Sequence, residues 1–320
     1  MNELPRDPDA GGPVARPPAD GAPWPQPPAM GEPWPTGPAA APPPRGPRRR
    51  WRLASILFAA TVASTLLAGY LMSGDLGQAA GYSAAIMGVL LLHELGHFFM
   101  CLHYHVPATP PYFIPMPLTP FGTMGALILM PPSQRSLRSI LDIGAAGPLA
   151  GLVVAIPVAF LGLKLSHVVP LGALPAEGTL QLGDSILFRL LSQAALGHVP
   201  EGAEIMLHPV GLAGWAGLFV TGLNLLPIGQ LDGGHVMYAL LGPRSRYVGF
   251  AFMGAFALWT ILAHPGWWLM LVLLLLVLHR GHPPALDPRP LNRARVAIGV
   301  LLMVVFVLTI VPRPIVVLQP

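Results

Sequence analysis

The sequence predicts an all-α polytopic membrane protein with about seven transmembrane helices and a short re-entrant hairpin. Of its 320 residues, 53% are hydrophobic and only 10% are charged, which leaves too little polar surface for a water-soluble globule. Six apolar segments approach the length of about 20 residues that a helix needs to cross a bilayer core of about 30 Å. Arginines flank these segments and indicate which end lies on which side of the membrane.

The six segments cover residues 53–72, 81–102, 140–163, 210–226, 248–278 and 296–311. The fifth is too long for one crossing, and His264, Pro265 and Gly266 interrupt it. We therefore expect two crossings there. This gives seven crossings in all, with six as the alternative.

Positive charge predicts the orientation. Arg48, Arg49, Arg50 and Arg52 precede the first segment, which places the N-terminus in the cytoplasm. With seven crossings the later arginine clusters also fall on the cytoplasmic side. With six crossings the last cluster would fall on the side opposite the cytoplasm. The net charge of +4 is thus explained by topology, and no nucleic-acid binding is expected. The expected location is the lipid bilayer of a bacterial inner membrane, with the chain as a multi-pass integral protein.

Composition divides the chain into three parts. Residues 1–47 are proline-rich and predict a disordered cytoplasmic tail. Residues 48–312 form one membrane domain, and residues 313–320 a short C-terminal tail.

Two further segments are not expected to cross the membrane. Prolines interrupt residues 107–132, while residues 123–130 could be extended, which suits a re-entrant hairpin. The loop over residues 164–208 contains a helix that Asp184 or Ser185 could cap and that ends near Gly197. The helix should lie on the membrane surface, with Ser192 on its polar face.

The second segment contains His93-Glu94-Leu95-Gly96-His97 within an otherwise apolar run. Histidines at positions i and i+4 project from one helical face and can share a zinc ion, while Glu94 lies close enough to activate a water molecule. Placing a carboxylate in the middle of a membrane helix costs a few kcal/mol of insertion free energy, so Glu94 is hard to explain without a functional role. The alternative is a pair of histidines hydrogen-bonded between packed helices.

A hydrolytic zinc site usually has three protein ligands, and Asp232 is the best candidate for the third. It follows the fourth segment, where Pro227 should end the helix and Gly233 and Gly234 allow a sharp turn. If the helices alternate as predicted, both histidines and Asp232 lie toward the cytoplasmic half of the membrane. A plain turn aspartate at the membrane surface is the alternative.

Three motifs in this order resemble the site-2 protease family of intramembrane zinc metalloproteases, over a catalytic core of about residues 80–245. They are the His93 to His97 motif, the glycine-rich stretch from Gly144 to Gly151, and the stretch from Asn224 to Gly234 that ends Leu-Asp-Gly-Gly. The resemblance implies one Zn²⁺ per chain bound by His93, His97 and Asp232. It also implies Glu94 as the catalytic base and Asn224 as a substrate-binding residue.

The resemblance further implies hydrolysis of peptide bonds in transmembrane substrates, as in regulated intramembrane proteolysis. The expected partner is a single-span membrane protein, such as an anti-sigma factor or a membrane-tethered regulator. The loop over residues 164–208 is about half of what a PDZ domain needs, so the branch of the family without that domain is closest. The alternative function is a zinc-binding membrane protein without protease activity, either a transporter or a client-holding pseudoprotease.

Overall fold

The computed structural model describes residues 47–130, 136–170, 180–262, 267–283, 285, 287, 289–313 and 315–317. The predicted tail over residues 1–47 lies outside these residues except for Pro47. The predicted helical fold is confirmed. The helices are α1 Pro47–Ser73, α2 Leu76–His103, α3 Leu137–Lys164, α4 Ile186–Leu196, α5 Pro209–Asn224, α6 Asp232–Leu241, α7 Ser245–Leu262, α8 Trp268–Arg280 and α9 Arg293–Thr309.

Four helical stretches of the described chain are long and apolar enough to cross a membrane. They are Arg50–Ser73, Leu76–His103, Leu137–Lys164, and Asp232–Leu262, in which a 3-10 turn joins α6 to α7. The other predicted crossings coincide with α5, α8 and α9, which have 16, 13 and 17 residues. The count of seven crossings therefore stays a prediction.

Small residues let α3 pack closely on α2 and α5. A methyl group on Gly162 would overlap the backbone of Gly211 in α5, and one on Gly214 would overlap Ala159. On the other side of α3, a methyl group on Gly96 of α2 would overlap the carbonyl of Ala146. In an apolar solvent such close backbone approach is the main source of helix association. The three helices α2, α3 and α5 thus form the centre of the fold.

The proline-interrupted segment forms an antiparallel hairpin of β1 Tyr112–Pro115 and β2 Thr123–Leu127. The prediction of extended backbone is thereby confirmed for β2. Ser64 of α1 donates a hydrogen bond to the carbonyl of Gly122 at 2.6 Å, and the Tyr82 hydroxyl of α2 donates to that of Phe121 at 2.9 Å. The hairpin is therefore fastened to the first two helices, while its re-entry into a membrane stays a prediction.

The loop between α3 and α5 contains short strands and one helix. Strand β3 His167–Pro170 pairs with β5 Ala203–Met206, and β4 Leu180–Leu182 pairs with β6 Ile315–Val317 near the C-terminus. The Trp215 indole of α5 donates a hydrogen bond to the carbonyl of Gly183 at 2.8 Å. The described part of the loop is thus tied to both α5 and the C-terminal strand.

Helix α4 begins and ends as the sequence predicts, because Ser185 accepts a hydrogen bond from the Phe188 amide and Gly197 follows the last residue. Its buried face differs from the prediction. Phe188, Ser192 and Ala195 are buried, whereas Ile186 is 52% exposed. Ser192 was assigned to the polar face, and this is wrong because the helix packs on α3 and α9 through that side.

Candidate metal centre

Helix α2 carries the histidine motif at its buried side. His93, Glu94 and His97 are all buried, and the two histidines lie one turn apart. Their Nε2 atoms are 3.2 Å from each other. The apolar helix therefore presents two nitrogen ligands to a single point.

Asp232 reaches the same point from the first turn of α6. The chain leaves α5 at Asn224 and turns back through residues 225–231, where Gly229 has a φ of +53°. A methyl group on Gly233 would overlap the carbonyl of Leu225, and one on Gly234 would overlap that of Gly229. Only glycine fits at these two positions, which explains why Asp232 is followed by a glycine pair.

The three ligand atoms form a nearly equilateral triangle. Oδ2 of Asp232 lies 3.3 Å from Nε2 of His93 and 3.3 Å from Nε2 of His97. Two ligands that bind zinc tetrahedrally at about 2.0 to 2.1 Å are about 3.3 to 3.4 Å apart. The triangle therefore has the dimensions of a zinc site, with a fourth position left for a reacting molecule.

A backbone carbonyl fixes the tautomer of His97. Nδ1 of His97 lies 2.8 Å from the carbonyl oxygen of Ile143 in α3, and that oxygen can only accept. In the neutral imidazole Nδ1 therefore carries the proton, which leaves the lone pair of Nε2 directed into the triangle. Lone pairs that converge beside a carboxylate repel one another unless a cation lies between them, so the donor set fits a metal ion.

Glycines of α3 leave room for the two imidazoles. A methyl group on Gly147 would overlap Nε2 of His97, and one on Gly151 would lie 3.1 Å from Nδ1 of His93. From the sequence, these glycines are expected only to let α3 pack closely on α2. The structure places them directly against the ligands, so they also shape the site.

Glu94 and Asn224 complete the arrangement. Within the described residues, the buried Glu94 carboxylate makes no hydrogen bond to the protein, as suits a group that exchanges protons with a bound molecule. Asn224, the last residue of α5, places Nδ2 3.1 Å from Nε2 of His93. His93, His97, Asp232 and Asn224 therefore lie together, and Glu94 follows His93 directly on the same turn of α2 and is electrostatically coupled to both histidines and Asp232.

Two features of the surroundings are less visible in the sequence. Ile143 contributes only its backbone, so its side chain gives no signal. His235 lies one turn after Asp232, and its Nδ1 is 2.8 Å from Nε2 of His282. The ring of His282 also stacks on Tyr238.

The Sγ atom of Cys101 lies 3.2 Å from the sulfur of Met130, and Cys101 does not belong to the group of His93, His97 and Asp232.

Comparison with known proteins agrees with this geometry. The chain matches peptidase family M50 over residues 81–262. It is 34% identical over 168 residues to "Probable zinc metalloprotease EGY1, chloroplastic" of Arabidopsis thaliana, which covers 50% of this chain and 29% of that protein. It is 28% identical over 239 residues to "Probable zinc metalloprotease EGY2, chloroplastic" of the same plant, covering 72% of this chain and 41% of that protein.

The chain thus spans less than half the length of these relatives. No solved structure matches it. The family match covers more than half of the chain and includes the histidine motif, the glycines of α3 and Asp232. The chain therefore belongs to peptidase family M50, a family of zinc metalloproteases.

Proposed function

We propose that the chain is a zinc metalloendopeptidase that hydrolyses peptide bonds of transmembrane substrates, as in regulated intramembrane proteolysis. The observation that carries the proposal is the triangle of ligand atoms from His93, His97 and Asp232, buried between apolar helices. Membership of family M50 and the names of the relatives support the reaction class.

In this proposal His93, His97 and Asp232 hold one zinc ion, and Glu94 moves the proton. Zinc, when bound, polarises the scissile carbonyl and lowers the pKa of a water molecule toward about 7. Glu94 accepts a proton from the attacking water, whose oxygen forms the new bond to the carbonyl carbon. When the carbon–nitrogen bond breaks, Glu94 returns the proton to the leaving nitrogen, and the carboxylate is regenerated.

Asn224 is proposed to bind the substrate. Its Nδ2 lies 3.1 Å from a proposed zinc ligand, so an amide donor stands beside the reacting carbonyl. A donor in that place stabilises the negative charge that develops on the carbonyl oxygen. The side chain sits at the end of α5, where the helix fixes its position.

The free edge of β2 is proposed to hold the unwound substrate. Phe121 contacts Tyr82, and Met130 contacts Cys101. The segment over residues 121–130, which contains β2, therefore runs beside α2 from before His93 to beyond His97. Tyr82 and Cys101 lie about 28 Å apart along α2 at helical rise. Phe121 and Met130 would lie about 30 Å apart in an extended chain, so the two lengths agree. An extended substrate can satisfy its backbone groups at such an edge without water.

The finer assignments belong to the same proposal. The catalytic core lies within about residues 80–245, inside a membrane domain over residues 48–312, with the N-terminus in the cytoplasm. The substrate is a single-span protein such as an anti-sigma factor or a tethered regulator. A bacterial inner membrane is proposed as the location, although the relatives are named chloroplastic and lend it no support.

The test replaces Glu94 by glutamine. Glutamine keeps the volume but cannot accept the proton, so we expect zinc to stay bound and cleavage to fall by about 10² to 10⁴-fold. The assay is an immunoblot of tagged single-span reporters, each with a helix-weakening Gly-Pro pair, co-expressed with either form of the protein. Metal analysis of both purified proteins accompanies it.

Glu201→Gln is the matched control, because Glu201 is exposed in the loop before β5. It should cleave at the wild-type rate. Wild-type cleavage by Glu94→Gln with zinc bound would show that another group is the base. A zinc-loaded wild type that cuts no reporter would favour the transporter or client-holding function instead.

A further inference from the structure

Tyr104, Asp142 and Arg295 form a polar cluster that joins three helices. Arg295 at the start of α9 donates from Nε to Oδ1 of Asp142 at 3.0 Å and from Nη2 to Oδ2 at 2.7 Å. The hydroxyl of Tyr104, directly after α2, donates to Oδ2 of the same carboxylate. Asp142 lies in the second turn of α3. We name these three residues the clamp.

The clamp differs from an ordinary surface ion pair. The side chains of Arg295 and Asp142 are 27% and 18% exposed, whereas Arg289 and Asp287 are 76% and 33% exposed. A two-pronged guanidinium–carboxylate contact fixes both distance and orientation. Because the pair is partly buried, loss of either partner leaves a charge that is less well solvated than one on the open surface. The clamp therefore holds its helices in one arrangement.

The phenol of Tyr104 acts as a donor throughout the neutral pH range. Burial raises the pKa of Tyr104, and its hydrogen bond to the Asp142 carboxylate raises that pKa further. The Asp142 carboxylate thus keeps the Tyr104 hydroxyl as a donor at neutral pH.

The clamp adjoins the metal centre along the chain. Asp142 immediately precedes Ile143, whose carbonyl accepts the hydrogen bond from Nδ1 of His97. Tyr104 follows His97 by seven residues, two turns along the same face of α2 and about 10 Å away. The same two helices are therefore joined twice, once at the clamp and once at the ligand. A slip of α3 by one residue would rotate it by about 100° and remove the Ile143 carbonyl from His97.

We propose that Tyr104, Asp142 and Arg295 are positioning residues that set the register of α3 against α2 and so orient His97 for metal binding. The proposal rests on the metal-binding part of the proposed function. It makes α9 a part of the catalytic unit, although this helix lies outside residues 81–262.

The test measures Co²⁺ binding to the purified full chain in detergent. Cobalt takes the place of zinc, and its visible absorption reports the ligand geometry. For Arg295→Met and Asp142→Asn we expect about 10-fold weaker binding and a changed absorption spectrum, because partners that orient metal ligands typically contribute about 10 to 100-fold. Arg295→Lys should be intermediate, since an ammonium cannot hold the carboxylate in the same two-pronged way.

Arg289→Met is the matched control and should bind cobalt as the wild type does. Tyr104→Phe removes one hydroxyl and keeps the ring, so it tests the clamp even if the charge variants fail to fold. Thermal unfolding of the metal-free proteins distinguishes a role in positioning His97 from a role in stability alone. Variants with lower stability but wild-type cobalt affinity and spectrum would overturn the proposal. A wild type that binds no cobalt would overturn the proposed metal site, and the clamp's role with it.

Discussion

Gly147 of α3 faces His97, and a methyl group there would overlap Nε2, the nitrogen proposed to bind the metal. We expect Gly147→Ala to displace the imidazole and to weaken zinc binding by at least about 10-fold. Gly88→Ala is the control, because nothing lies within 4 Å of a methyl group at that position of α2. The measurement is the zinc content of both purified variants. Full zinc content in Gly147→Ala would mean that α3 moves aside at little cost.

At the level of residues, the sequence pointed to side chains but not to the backbone. Spacing on a helix was enough to pair His93 with His97, and the need for a third ligand led to Asp232. The Ile143 carbonyl could not be found, because every residue has one and only the rotation of α3 decides which carbonyl faces His97. The same rotation decides that Gly147 meets an imidazole rather than a neighbouring backbone.

The hairpin of β1 and β2 is the element whose position matters most for substrate binding. Its turn is held by the hydroxyls of Tyr82 and Ser64, which donate to two successive carbonyls. Removing the Tyr82 hydroxyl leaves the Phe121 carbonyl without its donor, at a cost of about 1 to 3 kcal/mol, whereas without Ser64 the Gly122 carbonyl keeps the Met116 amide at 3.1 Å. We expect the double variant Tyr82→Phe, Ser64→Ala to loosen the hairpin and lower reporter cleavage about fivefold or more, with zinc content unchanged.

Tyr70→Phe is the control for that experiment, since Tyr70 is exposed on α1. It should leave cleavage unchanged. If the double variant cleaved normally, the edge of β2 would not be where the substrate binds. If it lost zinc instead, the hydroxyls would support the metal centre rather than the hairpin.

Long apolar elements were predictable, and so were the two ends of the short helix α4, but its buried face was not. Helices α1, α2 and α3 have apolar stretches that only a helix can carry through lipid. The buried face of α4 depends on where α3 and α9 lie, so periodicity assigned Ser192 to the wrong side. The glycine pair after Asp232 suggested a turn, but those glycines lie in the first turn of α6, because they allow residues 225–231 to pack on it.

The contacts at the two ends of α9 give its direction in the whole molecule. Arg295 near its start meets Asp142 near the start of α3. Beyond its end, β6 pairs with β4 in the loop that follows α3. Helices α3 and α9 therefore run the same way. Since one antiparallel helix separates α1 from α3, the start of α1 and the end of α9 lie at opposite ends of the helix bundle, as the predicted odd number of crossings requires.

This arrangement makes the topology testable. We expect a tag at the N-terminus to report the cytoplasm, and a tag after residue 320 to report the opposite side. A third tag, inserted at the exposed Gly197 after α4, should report the same side as the C-terminal tag, because β4 and β6 are paired. Protease protection of sealed vesicles provides the measurement. Both chain ends on one side would require six crossings or another even number.

The three proposed metal ligands are made at different times during synthesis. His93 and His97 are made together, but Asp232 follows 135 residues after His97. At about 5 to 20 residues per second, that interval is roughly 7 to 27 seconds. The clamp is completed later still, when Arg295 arrives. Until Asp232 is made, the growing chain offers the proposed metal ion only the two imidazole nitrogens of His93 and His97, so the proposed site is incomplete during the first part of synthesis.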